Sequence, residues 1–427
     1  MGFCPTLASR LHRSVIDMSH FFDLLAVLVV LSAVFAYVNH RFVRLPPAIG
    51  LMMTSLLLSM ALIGLGRLYP AALEEVIALV KEIDFADLLL EVMLGFLLFA
   101  GAIHIHLDEL KKVRLPVILF STLSVVINTF LMGTGAFWLL QLVGQQVPYL
   151  HCLLFGALIS PTDPIAVLSI LKQAGVDKSV EMKIAGESLF NDGVGVVVFL
   201  SLLKVTLHPE AMNFVEIGLL FAQEAGGGLL LGFAVGFAGF GLMRSIDNYK
   251  VEVLITLAVV MGCYLVAHRF HVSGPLAVVV AGLLLGNHGK RLAMSEETAE
   301  YVDKFWELID ETLNAILFVL IGLELVVLSF TPLWLALGLV VVILGLLSRY
   351  LSVWLPAQVI RLRGTITSHT LLILTWGGLR GGISIALALQ LTPDLGRELW
   401  LTLTYMIVAF SVLVQGLTVG RLARRGA

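Results

Sequence analysis

The chain has 427 residues, of which 59% are hydrophobic and 13% are charged, and its mean hydropathy is +0.99. Soluble domains carry about a quarter charged residues, so the composition excludes an ordinary soluble domain and indicates a polytopic membrane protein. A net charge of -3 argues against a nucleic-acid partner. Three scattered cysteines, Cys4, Cys152 and Cys263, are too few for a disulfide framework or a cysteine-bound metal.

Apolar runs of about 20 residues, the length of a membrane-spanning helix, recur along the chain. Residues 1–20 are polar and predict an N-terminal tail, and the next run lacks a cleavage pattern and predicts an uncleaved first span. Thirteen spans are predicted, at 21–38, 46–66, 85–106, 115–143, 149–172, 183–206, 214–243, 251–268, 274–287, 304–329, 333–360, 369–391 and 399–422. Most Lys and Arg residues outside the spans lie on the same side of the membrane as the C-terminus. This bias places the N-terminus outside and the tail at 423–427 in the cytoplasm.

Two of these spans carry residues that break helices. Pro161 and Pro164 stand in the fifth span, and the sequence Gly-Gly-Leu-Arg-Gly-Gly occupies 377–382 in the twelfth. Proline removes a backbone donor and glycine loosens a helix, so both spans are expected to be discontinuous near the membrane midplane and to cross. Pro and Gly are also simply frequent in membrane helices, but charge at both interruptions favours a transporter binding site.

The seven-span offset between these interruptions predicts two inverted six-helix repeats. The repeats cover 21–206 and 251–422, and a linker helix at 214–243 joins them. In the linker, Gly228, Gly232 and Gly236 place small residues at every fourth position, which predicts close helix packing.

Two aspartates lie inside apolar stretches. Asp163 stands between the two prolines of span 5. Asp192 is the seventh residue of the sequence Gly-Glu-Ser-Leu-Phe-Asn-Asp-Gly in span 6. An ionisable side chain in the membrane is costly and usually marks an ion or proton pathway. Ser188 lies one helical turn before Asp192, and an unwound Thr162 adds a carbonyl group. Oxygen ligands suit a hard cation, so the predicted cation site is Asp192, Asp163, Ser188 and Thr162.

Arg380 needs an acidic partner, because a guanidinium group stays charged inside a membrane. Glu187 is the predicted partner, in a structural ion pair that joins span 12 to span 6. Asn191 is predicted to support the broken helices through hydrogen bonds. If Glu187 is neutralised, Asp192 alone exchanges one proton for one monovalent cation, because burial favours the protonated carboxyl until a cation binds. The alternative, in which Asp163 and Asp192 only stabilise the fold through ion pairs, stays open.

Weaker signals come from other polar residues of the predicted spans. Four acids lie in or near predicted spans: Glu91, Asp310, Glu311 and Glu324. They could line an access funnel for cations, but placement near the membrane interface or ion pairing is the favoured interpretation. His104 and His106 stand at a predicted helix end, where solvation is favoured over metal binding and a pH-sensing role stays open. The sequence has no Gly-x4-Gly-Lys-Ser/Thr loop, so transport driven by an ion gradient is favoured over transport driven by ATP.

These residues resemble those of the NhaP/NHE-type monovalent cation:proton antiporters, the electroneutral branch of the cation–proton antiporter family. The resemblance covers nearly the whole chain and rests on the sequences at 97–102, 162–164, 186–193, 318–322 and 376–381. It implies a cation site formed by Asp192, Asp163, Thr162 and Ser188. It also implies that Asn191 marks electroneutral exchange and that Glu187 pairs with Arg380. One departure is Ala100, where some relatives carry an acid in span 3, so no auxiliary ligand is expected from that span.

The resemblance further implies a homodimer in the inner membrane whose core moves like an elevator. The transported ions would be protons and sodium, with lithium or potassium as alternatives, and no cofactor and no enzymatic activity are expected. An intramembrane aspartyl protease also places an aspartate on each of two spans, but its Gly-x-Gly-Asp sequence is absent. A cation channel would need rings of carbonyl groups or charges instead of one competitive carboxylate.

Overall fold

The computed structural model describes residues 25–424 except 67, 83–84, 208–213, 329–330 and 362–365. The described residues form helices joined by short turns, with π-helical turns inside some of them. In chain order the helices are α1 Leu25–Val43, α2 Pro47–Gly66, α3 Pro70–Glu82, α4 Phe85–Ile103, α5 Leu107–Lys112, α6 Arg114–Leu142, α7 Tyr149–Leu158, α8 Ile165–Ala174, α9 Lys178–Leu207, α10 Phe214–Arg244, α11 Tyr249–Phe270, α12 Gly274–Leu284, α13 Glu296–Glu324, α14 Pro332–Arg361, α15 Ser368–Trp376, α16 Gly382–Leu389 and α17 Arg397–Arg424. The predicted all-α membrane fold is confirmed.

Nine helices within the described part of the chain are long and apolar enough to cross a membrane. They correspond to nine of the predicted spans. The other four predicted spans coincide with the two broken helices α7–α8 and α15–α16, the short α12, and the acidic α13. Thirteen crossings and an inverted repeat therefore stay predictions. The predicted tail at 1–20 and residues 425–427 of the predicted tail at 423–427 lie outside the described residues. Helix α3 lies between the second and third predicted spans, where no span is predicted.

The chain divides into two compact units, one formed by 1–84 with 315–327 and the other by 85–314 with 328–427. In the first unit, serine side chains of α2 bond to the backbone at the end of α13. Ser59 Oγ donates to the Gly322 carbonyl at 2.7 Å, and Ser55 Oγ donates to the Phe318 carbonyl at 3.2 Å. A Cβ atom on Gly322 would collide with Ser55. Glycine at this position therefore allows the close approach of the two backbones.

In the second unit, the glycines of α10 lie against α12. A Cβ atom on Gly228 would meet the Ser273 carbonyl oxygen at 2.6 Å, and one on Gly236 would meet Ala281 Cα at 2.9 Å. Gly232 lies as close to the backbone of Ala277. Helices with such small residues approach each other closely and gain van der Waals contact. The close packing predicted for the linker helix is confirmed.

A buried aromatic cluster joins α4 to α13 beside this helix pair. Phe99 and Trp306 are fully buried, and their ring centroids are 4.5 Å apart. The Trp306 indole donates to Thr256 Oγ1 at 3.0 Å, so its polar atom has a partner. Ala100 is 1% exposed within the same apolar core. A small residue at this place lets α4 pack closely and supplies no side-chain ligand.

Candidate functional site

The two predicted interruptions meet in the second unit. Helix α7 ends at Leu158 and α8 begins at Ile165, while α15 ends at Trp376 and α16 begins at Gly382. Between these half-helices, Asp163 N donates to the Leu379 carbonyl at 2.8 Å, and the two residues form an antiparallel bridge. The two extended segments therefore cross and satisfy each other's backbone groups, as the membrane interior requires. The prediction of two crossed discontinuous helices is confirmed.

Charged side chains lie at the ends of the half-helices. Arg380 Nη1 donates to the carbonyls of Ser160 and Pro161, at 2.7 and 3.0 Å, just beyond the C-terminal end of α7. The Asp163 carboxyl lies against Gly381, the residue before α16, where a Cβ atom would be 2.7 Å from Asp163 Oδ2. A cation at a helix C-terminus and an anion at a helix N-terminus both oppose the helix dipole. The two side chains therefore stabilise the crossing from opposite ends.

Three of the predicted side chains form a hydrogen-bonded group that joins the α7–α8 segment to α9. Asn191 Nδ2 donates to Thr162 Oγ1 at 2.7 Å, and Asn191 Oδ1 accepts from Thr162 N at 3.3 Å. Thr162 Oγ1 and Ser188 Oγ are 3.1 Å apart, with either hydroxyl as donor. All three residues are buried. Asn191 thus holds the unwound segment at Thr162 against α9.

Asp192 lies on α9 one helical turn after Ser188. Its side chain is 7% exposed, and its Oδ1 atom has no hydrogen-bond partner among the residues that the structure describes. The carboxyl interacts electrostatically with Asp163. A buried carboxylate oxygen without a donor is costly, so this atom is suited to hold a proton or a cation. The four predicted cation-site residues lie on two adjacent segments, α9 and the unwound stretch before α8.

Glu187 has a different direct partner from the predicted one. Its Oε1 atom lies 2.6 Å from Arg349 Nη2, and both side chains are almost fully buried, at 2% and 6% exposed. Arg349 also donates to the Leu374 carbonyl at 3.1 Å. Arg380 interacts with Glu187 through longer-range electrostatics and bonds directly to the carbonyls at the end of α7. Glu187 therefore joins α9 to α14, and its predicted pairing with Arg380 is replaced by a pairing with Arg349.

Arg349 is not among the predicted site residues. It is one of two arginines inside predicted spans, and a buried arginine near a buried acid is the signal that identifies it. Arg349 and Arg380 line a small cavity of about 20 Å³ together with Gln415. Gln415 accepts from Ser411 at 2.7 Å, and Ser411 accepts from the Arg380 amide at 2.9 Å. This chain of bonds holds the Arg380 backbone in place at the crossing.

The acids and histidines with weaker sequence signals differ in their burial and in their partners. Glu91 and Glu311 are exposed, and Asp310 is half-buried beside Asn314. Glu324 is buried and belongs to the first unit. His106 is exposed, and His104 Nε2 lies 3.5 Å from Asp303. Asp310 interacts electrostatically with Asp163.

The fold and the crossing define a polytopic helical membrane protein with a buried carboxylate site between discontinuous helices. The sequence model of the family described as "Sodium/hydrogen exchanger, transmembrane" matches residues 29–425, and the chain belongs to this family. It is 50% identical to the Na(+)/H(+) antiporter NhaP of Pseudomonas aeruginosa over 409 residues, 94% of this chain and 96% of that protein. It is 35% identical to the Na(+)/H(+) antiporter NhaH of Halobacillus dabanensis over 352 residues, 81% of this chain and 84% of that protein.

A solved structure has a similar fold. The sodium proton antiporter MjNhaP1 from Methanocaldococcus jannaschii superimposes with a TM-score of 0.76 at 20% sequence identity, covering 95% of this chain and 98% of that one. At this identity the match establishes the shared fold.

Proposed function

We propose that this chain is a secondary antiporter that exchanges a monovalent cation for protons across a prokaryotic inner membrane. Sodium is the proposed cation, and lithium and potassium are the alternatives. The observation that carries the proposal is Asp192, whose buried Oδ1 atom has no partner within the described residues. The names of the relatives, all Na(+)/H(+) antiporters in the bacterial matches above, support the same activity.

Asp192 is the proposed carboxyl for which proton and cation compete. A carboxyl in surroundings of low polarity is stable when it is protonated or when a cation lies beside it. Ser188 adds a hydroxyl oxygen one helical turn before Asp192, and Thr162 Oγ1 lies 3.1 Å from Ser188 Oγ. Such oxygen ligands suit small alkali-metal cations. Asp163 supplies a fixed negative charge near the site. Binding a cation therefore releases the proton, and binding a proton releases the cation.

The charges of the remaining groups support an electroneutral exchange of one cation for one proton. Glu187 is neutralised by Arg349 at 2.6 Å. Arg380 is held by two backbone carbonyls and opposes the charge of Asp163 across the crossing. With these four charges balanced, Asp192 is the carboxyl left to change its state. Its loaded form is neutral with a proton and neutral with a monovalent cation.

Exchange also requires that the site open to each side of the membrane in turn. We propose that a core containing the two broken helices moves like an elevator, in a homodimer with its N-terminus outside and its C-terminus in the cytoplasm. The excess of Lys and Arg on the C-terminal side supports this orientation. The crossing supports a rigid core, because its side chains and backbone groups bond to one another.

The proposal is tested in proteoliposomes that contain a pH-sensitive dye. Sodium, lithium or potassium is added in turn, with and without a clamped membrane potential. Wild-type protein is expected to dissipate a proton gradient on addition of the transported cation, at a rate that does not depend on the clamped potential. Asp192→Ala is expected to abolish exchange. Unchanged exchange in Asp192→Ala would refute the site, and a rate that follows the potential would refute electroneutrality.

A further inference from the structure

Asp310 and Asn314 form a polar pair on α13, outside the group around Asp192. Asn314 Nδ2 donates to the Asp310 side chain at 3.0 Å and to the Asp310 carbonyl at 2.8 Å. Both of these atoms are acceptors, so the amide nitrogen faces them and the amide oxygen points elsewhere. The orientation of the Asn314 side chain is therefore determined by its own hydrogen bonds.

The Asn314 amide oxygen is left without a partner. Asn314 is 6% exposed, and its Oδ1 atom has no hydrogen-bond donor among the residues of the described ranges. A buried carbonyl oxygen without a donor or a cation is costly. Oδ1 belongs to the amide group whose nitrogen bonds to the Asp310 carboxyl. The pair thus offers a carboxylate and a neutral carbonyl oxygen one helical turn apart on α13.

Asp310 also interacts electrostatically with Asp163 and with the neighbouring Glu311. Asp163 in turn interacts with Asp192. The three carboxyls therefore form a series in which Asp163 is the middle member. Neighbouring carboxylates repel each other, and a cation held beside them relieves the repulsion. The negative charges of the neighbouring carboxylates therefore favour a cation at Asp310, in addition to the effect of its bond to Asn314.

The same face of α13 continues away from the site. Asp303, Glu307, Asp310 and Asn314 follow one another at intervals of three or four residues, which places them along one side of the helix. Glu307 is exposed. An exposed acid on a membrane helix faces water more favourably than lipid. Asp303 is ion-paired with Lys290, so the face leads from the exposed Glu307 to Asp310 and the buried Asn314.

We propose that Asp310 and Asn314 form a second cation-binding subsite, which holds sodium or another hard monovalent cation on its way to Asp163 and Asp192. The Asp310 carboxylate supplies the charge, and Asn314 Oδ1 supplies a neutral oxygen ligand. Oxygen ligands of this kind are those that hard cations prefer. The subsite rests on the proposed antiport, because its cation is the one that the antiporter exchanges.

The first test measures sodium dependence in proteoliposomes at fixed pH and ionic strength, with N-methylglucamine as the replacement cation. Asp310→Asn is expected to raise the half-maximal sodium concentration about fivefold to tenfold, because a full charge is lost from the subsite. Its maximal rate is expected to stay within about twofold, because Asp192 is intact. Glu311→Gln removes a neighbouring exposed acid that also interacts electrostatically with Asp310. It is the control for the effect of a nearby surface charge, and it is expected to change the half-maximal concentration less than about twofold.

A rescue variant separates charge from side-chain shape. Asp310→Asn combined with Asn314→Asp moves the carboxylate one helical turn and keeps both residue types. This double variant is expected to recover a half-maximal sodium concentration within about threefold of wild type. A half-maximal concentration in Asp310→Asn equal to that of wild type would overturn the subsite. A shift of the same size in Glu311→Gln would also overturn it, because it would reflect surface charge alone.

A binding measurement keeps the subsite apart from the proposed function. In the purified Asp192→Ala protein, sodium is expected to raise the midpoint of thermal unfolding, because a ligand that binds the folded state stabilises it. Adding Asp310→Asn is expected to remove this rise, and adding Glu311→Gln is expected to keep it. If wild-type protein exchanges no cation, the proposed function fails while this measurement still decides the subsite. A rise that survives Asp310→Asn would refute it.

Discussion

The ion pair between Glu187 and Arg349 gives the sharpest structural prediction. The two side chains are 2% and 6% exposed, and their charged atoms are 2.6 Å apart. Arg349→Met keeps the length of the side chain and removes the charge, so Glu187 is left as an uncompensated buried acid. Breaking a buried pair in this way costs about 3–5 kcal/mol of stability. The lost bond to the Leu374 carbonyl adds about 1 kcal/mol.

A double-mutant cycle isolates the pair itself. Glu187→Gln combined with Arg349→Met is expected to show a coupling free energy of about 2–3 kcal/mol, at the upper end for contacting residues. Glu187→Gln combined with Arg380→Met is expected to show less than about 1 kcal/mol, because Arg380 bonds directly to backbone carbonyls. The free energies of unfolding are measured in mixed micelles by titration with a denaturing detergent. A larger coupling with Arg380 than with Arg349 would refute the assigned pair.

Two further predictions concern packing and the cation site. Gly232→Ala is expected to destabilise the protein by about 1–3 kcal/mol through overpacking, because its Cβ atom would be 2.8 Å from Ala277 Cα, whereas Gly226→Ala, with open space around it, is expected to be neutral or slightly stabilising in thermal unfolding. Thr162→Val removes the hydroxyl that bonds to Asn191 and Ser188. It is expected to raise the half-maximal sodium concentration about threefold to tenfold, while Thr206→Val, on the α9 helix that carries Asn191 and Ser188, leaves this concentration unchanged. Equal effects of either substitution and its control would contradict these assignments.

The broken helices could be predicted because their cause is local. Pro161, Pro164 and the glycines at 377–382 disfavour helix wherever they stand, and the structure ends α7 and α15 at these places. The close packing of α10 follows equally from glycines at every fourth position. Such features depend on the residue type and its spacing along the chain, and both are visible in the sequence.

The partner of Glu187 could not be predicted with the same certainty, because it depends on how distant helices pack. Arg349 and Arg380 each stand inside an apolar span, and both need compensation there. Sequence alone does not reveal that two backbone carbonyls just beyond the C-terminal end of α7 accept hydrogen bonds from Arg380. It therefore does not reveal that Glu187 pairs directly with Arg349. The subsite at Asp310 is similar, since only the packed structure reveals that the Asn314 oxygen lacks a donor within the described part of the chain.

The central claim is that proton and cation compete for Asp192, and proton release on cation binding tests it most directly. Purified protein in weakly buffered detergent solution is titrated with sodium, and the released protons and the bound sodium are both measured. The account predicts that saturation with sodium releases about one proton per protein chain at a pH where the empty site is protonated, and none from Asp192→Asn. Sodium binding without proton release in wild-type protein, or equal release from Asp192→Asn, would contradict it.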